Sequence, residues 1–288
     1  MGWKGSLQLA YHRDMHGRSG PMRETAAPRT VLHSTHDGPL RVLTSLYPEG
    51  PGVCHNVLVH PPGGLVGGDE LDIDVSLQVA AHALITTPGA TRFYRSTGAS
   101  ATQRLHARVA EGARLEWLPL ESIAFSGCHA RNQMRFDLSP GAEMIGWDVL
   151  ALGLPASSQP FVRGSFAQSI ELPGRWLERG TVAATDTLLL DSPLGWAGHR
   201  VMATLWIAAG SAMPAARREA LLDTARTVAR GDPLERSAGC TAVNDGVIVL
   251  RALAPRVEPA MALLTRIWTA WRELAWGLPP CVPRVWRT

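Results

Sequence analysis

Four carboxylates, Asp69, Glu121, Asp148 and Glu178, stand in surroundings that do not suit a charge: GGD, LPLES, GWD and WLER. A charge is almost never fully buried without a partner. Each must therefore meet a cation, such as Arg92, Arg95 or Arg179, or face water inside the fold. In the second case its oxygens become transient sites for a hydrated cation. Nucleophilic chemistry is less well served. There is no G-x-S-x-G turn. In Cys54-His55 and Cys128-His129 the thiol and imidazole are sequence neighbours, which a strand directs to opposite faces. For metals, thiolate and imidazole suit Ni, Zn and Cu. Cys54 and His60 share a face if the strand through Val57 is regular, and His33 and His36 are close in sequence. None has helical or paired ligand spacing. No stable metal site is predicted, and Cys54 and His60 are the lesser candidates.

Asp69 closes the run HPPGGLVGGD. Its glycines fit neither G-x-x-x-x-G-K-[ST] nor G-x-G-x-x-G, and a carboxylate at the tip would repel phosphate. The run reads instead as backbone geometry. Pro61 and Pro62 fix φ, while Gly63, Gly64, Gly67 and Gly68 permit positive φ or close approach. Asp69 then emerges at the start of a strand, where it should matter to function more than to packing.

These residues must be positioned by a chain of 288 residues that is 45% apolar and 18% charged, enough for a substantial core. A net charge of +3 with scattered basic residues gives no case for nucleic acid. The N-terminus has no long apolar run, and the longest uncharged apolar stretch, from Val201 to Met213, is short for a bilayer. MGWKGS matches a myristoylation pattern too short to weigh. The four separated cysteines, Cys54, Cys128, Cys240 and Cys281, suit a reduced, cytoplasmic chain.

The first two hundred residues read mostly as strands. LDIDVSLQV alternates apolar and polar residues, and short runs follow at 82–87, 103–109, 114–118, 133–138 and 143–150. Three segments align on Ala83, Ala113 and Ala142, a period of about 30 residues that suggests stacked strand layers. Helices are predicted near 214–230, with Leu221, Leu222, Ala225 and Val228 on its apolar stripe, and near 258–276. The fold class is mainly β (α+β): β-helix-like strand layers with two helices in the C-terminal half, in a single domain over residues 1–288. Trp268, Trp271, Trp276 and Trp286 exceed what two helices would hide, which predicts an aromatic partner surface and poor solubility.

Five ordered blocks, HPPGGLVGGDELDI, ALITTPGATRFYRSTG, LEWLPLESIAF, GWDVLALG and the ending PRVWRT, resemble the urease accessory protein UreD (UreH) family. They run from His60 to the C-terminus. The resemblance implies a non-enzymatic scaffold of largely β, helix-like strand layers. It implies binding to apo-urease, to UreF and to the GTPase UreG, and delivery of Ni²⁺ to the urease active site. No cofactor would be tightly bound; Ni²⁺ would be in transit. The resemblance also implies polar residues along a water-filled interior channel, among them Asp69, Thr91, Asp148 and Glu178. Tyr94 and Arg95 join the proline–glycine run as its structural motif. Where the family carries an arginine and a glutamate, this chain has Leu154 and Gln159. If those two normally pair, their joint loss is nearly neutral. Two other readings stay open: a module that only holds partners, and an enzyme with Asp69 and Asp148 as acid and base.

Overall fold

A computed structural model describes residues 2–14 and 27–287. The chain opens with β1 (Lys4–Asp14), which pairs antiparallel with β2 (Arg29–Asp37) and parallel with β5 (Glu70–Leu77). After β3 (Arg41–Val42) it passes back and forth between two sheets. β5, β8 (Ala101–Val109), β11 (His129–Leu138) and β13 (Ser165–Leu172) stack in parallel in the first sheet, and β14 (Trp176–Ala183) closes it antiparallel. β4 (Val53–Val59), β6 (His82–Thr86), β9 (Arg114–Leu118) and β12 (Glu143–Leu152) stack in parallel in the second. The antiparallel strands β15 (Val201–Ala209), β17 (Val247–Ala254) and β16 (Ala238–Ala242) extend it. Short β7 (Thr91–Phe93) and β10 (Ser122–Ala124) run parallel to the end of β12 and turn the layers at one corner. Strand accounts for 45% of the fold and helix for 18%, in a stacked, solenoid-like arrangement.

Sequence patterning follows from these layers. The first sheet has one wet face, so its strands alternate: β5 and β13 read half-buried, buried throughout. Its outer face carries charges that pair across strands, Arg104 with Glu70 and Asp72, and Arg108 with Asp74. The second sheet is covered on both sides, which explains the nearly continuous burial of β12 and β15. One face packs on the first sheet. The other packs on α2 (Ala215–Ala229) and α3 (Val257–Trp276). Both helices fall where the periodicity predicts. A third, five-residue helix α1 (Thr187–Asp191), capped by Asp186, is too short for that periodicity to reveal.

The repeat is real in space but its register differs from the sequence alignment. Glu143 pairs with Arg114, and Arg114 with His82. The equivalent alanines are therefore Ala81, Ala113 and Ala142, all with 0% exposure. Ala83 lies two residues further along. The residue before each of the three has positive φ: Ala80, Gly112 and Gly141. Glycine carries that conformation freely at two of the rungs, whereas alanine at the first is strained. Ala80→Gly is expected to raise stability by about 1 kcal/mol in urea denaturation, despite the general cost of adding glycine. A loss of stability would show that Ala80 is relaxed.

The four tryptophans do not form the expected aromatic surface. Trp268 and Trp271 have 0% exposure and Trp276 8%. Trp286 is partly buried, donating its indole N–H to Thr86 Oγ1 at 2.7 Å. The third layer needs large side chains because two helices must cover a broad twisted sheet. The most exposed large apolar residues lie elsewhere, Leu188 and Leu194 around α1.

Candidate functional site

The interior between the two sheets is mostly apolar; Asn56, bound by Tyr11, is one polar group in it, and a row of polar residues is another. On the first sheet, Gln103, Asn132 and Gln168 are in register across β8, β11 and β13, with Gly180 of β14 next in line. On the second sheet, Asp148, Thr204 and Arg251 are in register across β12, β15 and β17. The neighbours two residues away on these strands, such as Leu105, Met134, Ile170, Leu150 and Trp206, belong to the core that fills this layer. Strand alternation therefore directs the polar residues inward too.

Hydrogen bonds join the two rows. Gln103 Nε2 donates to Asn132 Oδ1 at 3.3 Å, and Asn132 Nδ2 to Asp148 Oδ1 at 3.1 Å. Gln168 Nε2 donates to the other Asp148 oxygen. Burial pushes the Asp148 carboxyl up to about 7, and the negative Glu178 adds to this while the Gln168 and Asn132 amides oppose it. Glu178, two residues from Gly180, pairs with Arg251, whose side chain is half exposed. The row thus ends at a sheet edge in contact with solvent.

Its other end opens on a pocket of about 240 Å³ lined by Gln103, Thr91, His60, Trp117 and Arg92 among others. His60 Nε2 and Trp117 Nε1 are buried without a protein partner. Orphan polar atoms in a space of this size suit ordered water. Burial pushes His60 below its usual range, which favours the neutral imidazole. Thr91 therefore lines the pocket at one end of the row, while Asp148 stands within it and Glu178 at its other end.

Asp69 does not join it. The residue is 1% exposed, and its two oxygens accept backbone N–H groups, from Trp3 at 3.2 Å and Val66 at 2.9 Å. The carboxylate locks the glycine turn to the start of β1, which corrects the expectation that it serves function more than packing. Asp69→Ala is expected to cost about 2–3 kcal/mol, since two backbone donors lose a charged acceptor. Chemical denaturation checks this, and a change below about 0.5 kcal/mol would restore the sequence reading.

The proline–glycine run forms a tight turn. His60 O accepts from Gly63 N at 2.8 Å around Pro61 and Pro62. A Cβ on Gly64 would lie 2.4 Å from the Tyr94 ring, and one on Gly67 2.5 Å from Ala99 O. Gly68 has positive φ. Tyr94 packs at a tilt against Phe125, and the Arg95 stem packs on Gly127. Cys54 and His60 do not converge. Cys54 Sγ contacts Asn56 Oδ1 at 3.3 Å, whereas the His60 ring lies beside Trp3. Leu154 and Gln159 exchange two backbone hydrogen bonds across a small loop, so the departures from the family pattern face each other.

The expected arginine partners are not the direct ones. Asp148 is held by amides and Glu178 by Arg251. Arg92 does oppose the burial that raises the Glu121 carboxyl. Sequence reasoning also missed the most buried carboxylate. Glu116, with 0% exposure, accepts from His82 at 2.8 Å, Trp268 at 2.7 Å and Arg272 at 3.1 Å. Arg272 also meets Glu49 at 2.5 Å, and Glu49 meets His55 at 2.5 Å. Glu116 between Leu115 and Trp117 was a signal as strong as GWD.

Fold and row together define a stacked β scaffold with a hydrogen-bonded polar row in its interior. The UreD urease accessory protein family model matches residues 4–287. Urease accessory protein UreD of Leptothrix cholodnii is 57% identical over 288 residues, covering 100% of both chains. Its counterparts in Paracidovorax citrulli and Variovorax paradoxus are 58% identical (99% of both chains) and 56% identical (100% of both). The chain belongs to the UreD family of urease accessory proteins. Among the described residues, no helix is long and apolar enough to cross a membrane.

Proposed function

We propose that this chain is a non-catalytic scaffold for urease maturation, working in the cytoplasm, that binds apo-urease with UreF-like and UreG-like partners and lets Ni²⁺ pass through its interior. The observation that carries the reading is the row from Thr91 and Gln103 through Asn132, Asp148 and Gln168 to Glu178. A structural core would fill these inward positions with apolar residues, as the flanking positions do. Conduction needs sites strong enough to admit an ion and weak enough to release it. Amide, hydroxyl and carboxylate oxygens hold Ni²⁺ less tightly than thiolate and imidazole, so no ion is expected to stay bound along the row.

An acid–base pair would need Asp69 and Asp148 to face one substrate. They have separate hydrogen-bond sets, and both Asp69 oxygens are taken by backbone amides. Reconstituted activation of apo-urease with UreF, UreG and Ni²⁺, with and without this chain, tests the proposal. Activation should depend on the chain, and the chain should co-purify with apo-urease subunits. Full activation in its absence would refute the scaffold role.

A further inference from the structure

We infer that Glu49, His55 and Cys281 form a site for one borderline divalent cation of the Ni²⁺, Zn²⁺ or Co²⁺ kind, which clips the C-terminal tail to the second sheet. One carboxylate oxygen, one imidazole nitrogen and one thiol sulfur lie within 4.8 Å of one another. The three donors come from the loop before β4, from β4 itself and from the tail after α3. The mixed O, N and S set matches this class of ion and not Mg²⁺ or Ca²⁺. The site lies apart from the interior row. Cys54 faces the layer between the sheets, so its neighbour His55 faces the opposite side, like Leu84 and Glu116 in the adjoining strands.

Surrounding groups pre-organise the donors. Glu49 Oε2 is held by Arg272 at 2.5 Å, leaving Oε1 toward His55 Nε2 at 2.5 Å. Arg272 is anchored in turn on Glu116 and on the Pro279 carbonyl, two residues before Cys281. Such partners fix ligand orientation in metal sites. The charges also balance. With neutral imidazoles, Glu49, Glu116 and a Cys281 thiolate contribute three negative charges, and Arg272 and a divalent ion three positive. Binding releases the thiol proton to solvent and leaves the His55 proton on Nδ1. The Glu49 and His55 side chains are 9% and 6% exposed. Cys281 is half-buried at the outside, which gives the ion an entry.

Titration of the purified full-length chain with Ni²⁺ alone, and separately with Co²⁺ alone, tests the site. One equivalent should produce a thiolate-to-metal charge-transfer band. Cys281→Ser should abolish the band, His55→Ala should weaken binding at least about tenfold, and Cys54→Ser should leave it intact. Circular dichroism verifies the fold of each variant. A second measurement needs no variant: Ni²⁺ should slow alkylation of Cys281 at least about tenfold, as direct ligation would. Absence of a band in wild type, a band surviving Cys281→Ser, or alkylation of Cys281 at an unchanged rate would each overturn the assignment.

Discussion

Replacing Arg272 with methionine should destabilise the chain by about 3–5 kcal/mol, the cost of breaking a buried pair from one side. The guanidinium has 0% exposure and contacts both oxygens of Glu116 at 3.1 Å. It also reaches Glu49 and the Pro279 carbonyl. Methionine fills much of the volume but leaves a fully buried carboxylate with only His82 and Trp268. Burial raises the Glu116 carboxyl, yet His82, Arg272 and Trp268 outweigh it and hold the group below its ordinary value of 4.5. With a lowered folded-state pKa, the contribution of Glu116 is present above the ordinary value and disappears as pH falls through the folded one. The variant should therefore lose most relative to wild type near neutral pH and less in acid. Against a total of about 5–15 kcal/mol, such a loss would be visible as a large drop in the urea midpoint. A change below about 1 kcal/mol would mean that α3 is held by its apolar stripe alone.

Asp148→Asn should act in the opposite direction on stability. The carboxyl is pushed from its ordinary 3.8 up to about 7, chiefly by burial. A raised folded-state pKa means that the folded chain takes up a proton between those values. Wild-type stability therefore falls as pH rises from about 4 to about 7, then levels off. Asparagine cannot ionise, so that fall should vanish. The interval corresponds to at most about 4 kcal/mol in favour of the variant above pH 7, and almost none below pH 4. Gln168 can rotate its amide to present a carbonyl to the new N–H group. Urea unfolding of both proteins across this range checks the sign. A variant less stable than wild type at pH 8 would show that the charged carboxylate is well accommodated.

The layered β architecture and the two long helices were legible because period-two and helical patterns follow directly from which faces are buried. α1 was not, since five residues complete little more than one turn. The repeat period was visible, but its register was set by the positive-φ residues 80, 112 and 141, and alanine at 80 hid the first of them. Asp148 could be flagged from GWD, yet Gln103, Asn132 and Gln168 could not. Neutral amides on alternating strands look like solvent-facing residues until the register aligns them. Asp69 was misjudged because backbone donors such as Trp3 N–H leave no trace in composition. Glu49, His55 and Cys281 could not be grouped from spacing, because the tail returns to β4 only after the whole fold has formed.

Asp148→Asn also separates stability from transport. In the reconstituted activation assay above pH 7, at fixed Ni²⁺ and with equal amounts of the chain–UreF–UreG–apo-urease complex confirmed by co-purification, the proposed interior route would require a nickel-contacting carboxylate at this position. Urease activation should be slowed at least about tenfold, the scale of a lost metal-contacting group, by a variant as stable as wild type or more so. Activation at the full wild-type rate in that intact complex would contradict passage of nickel along the interior row.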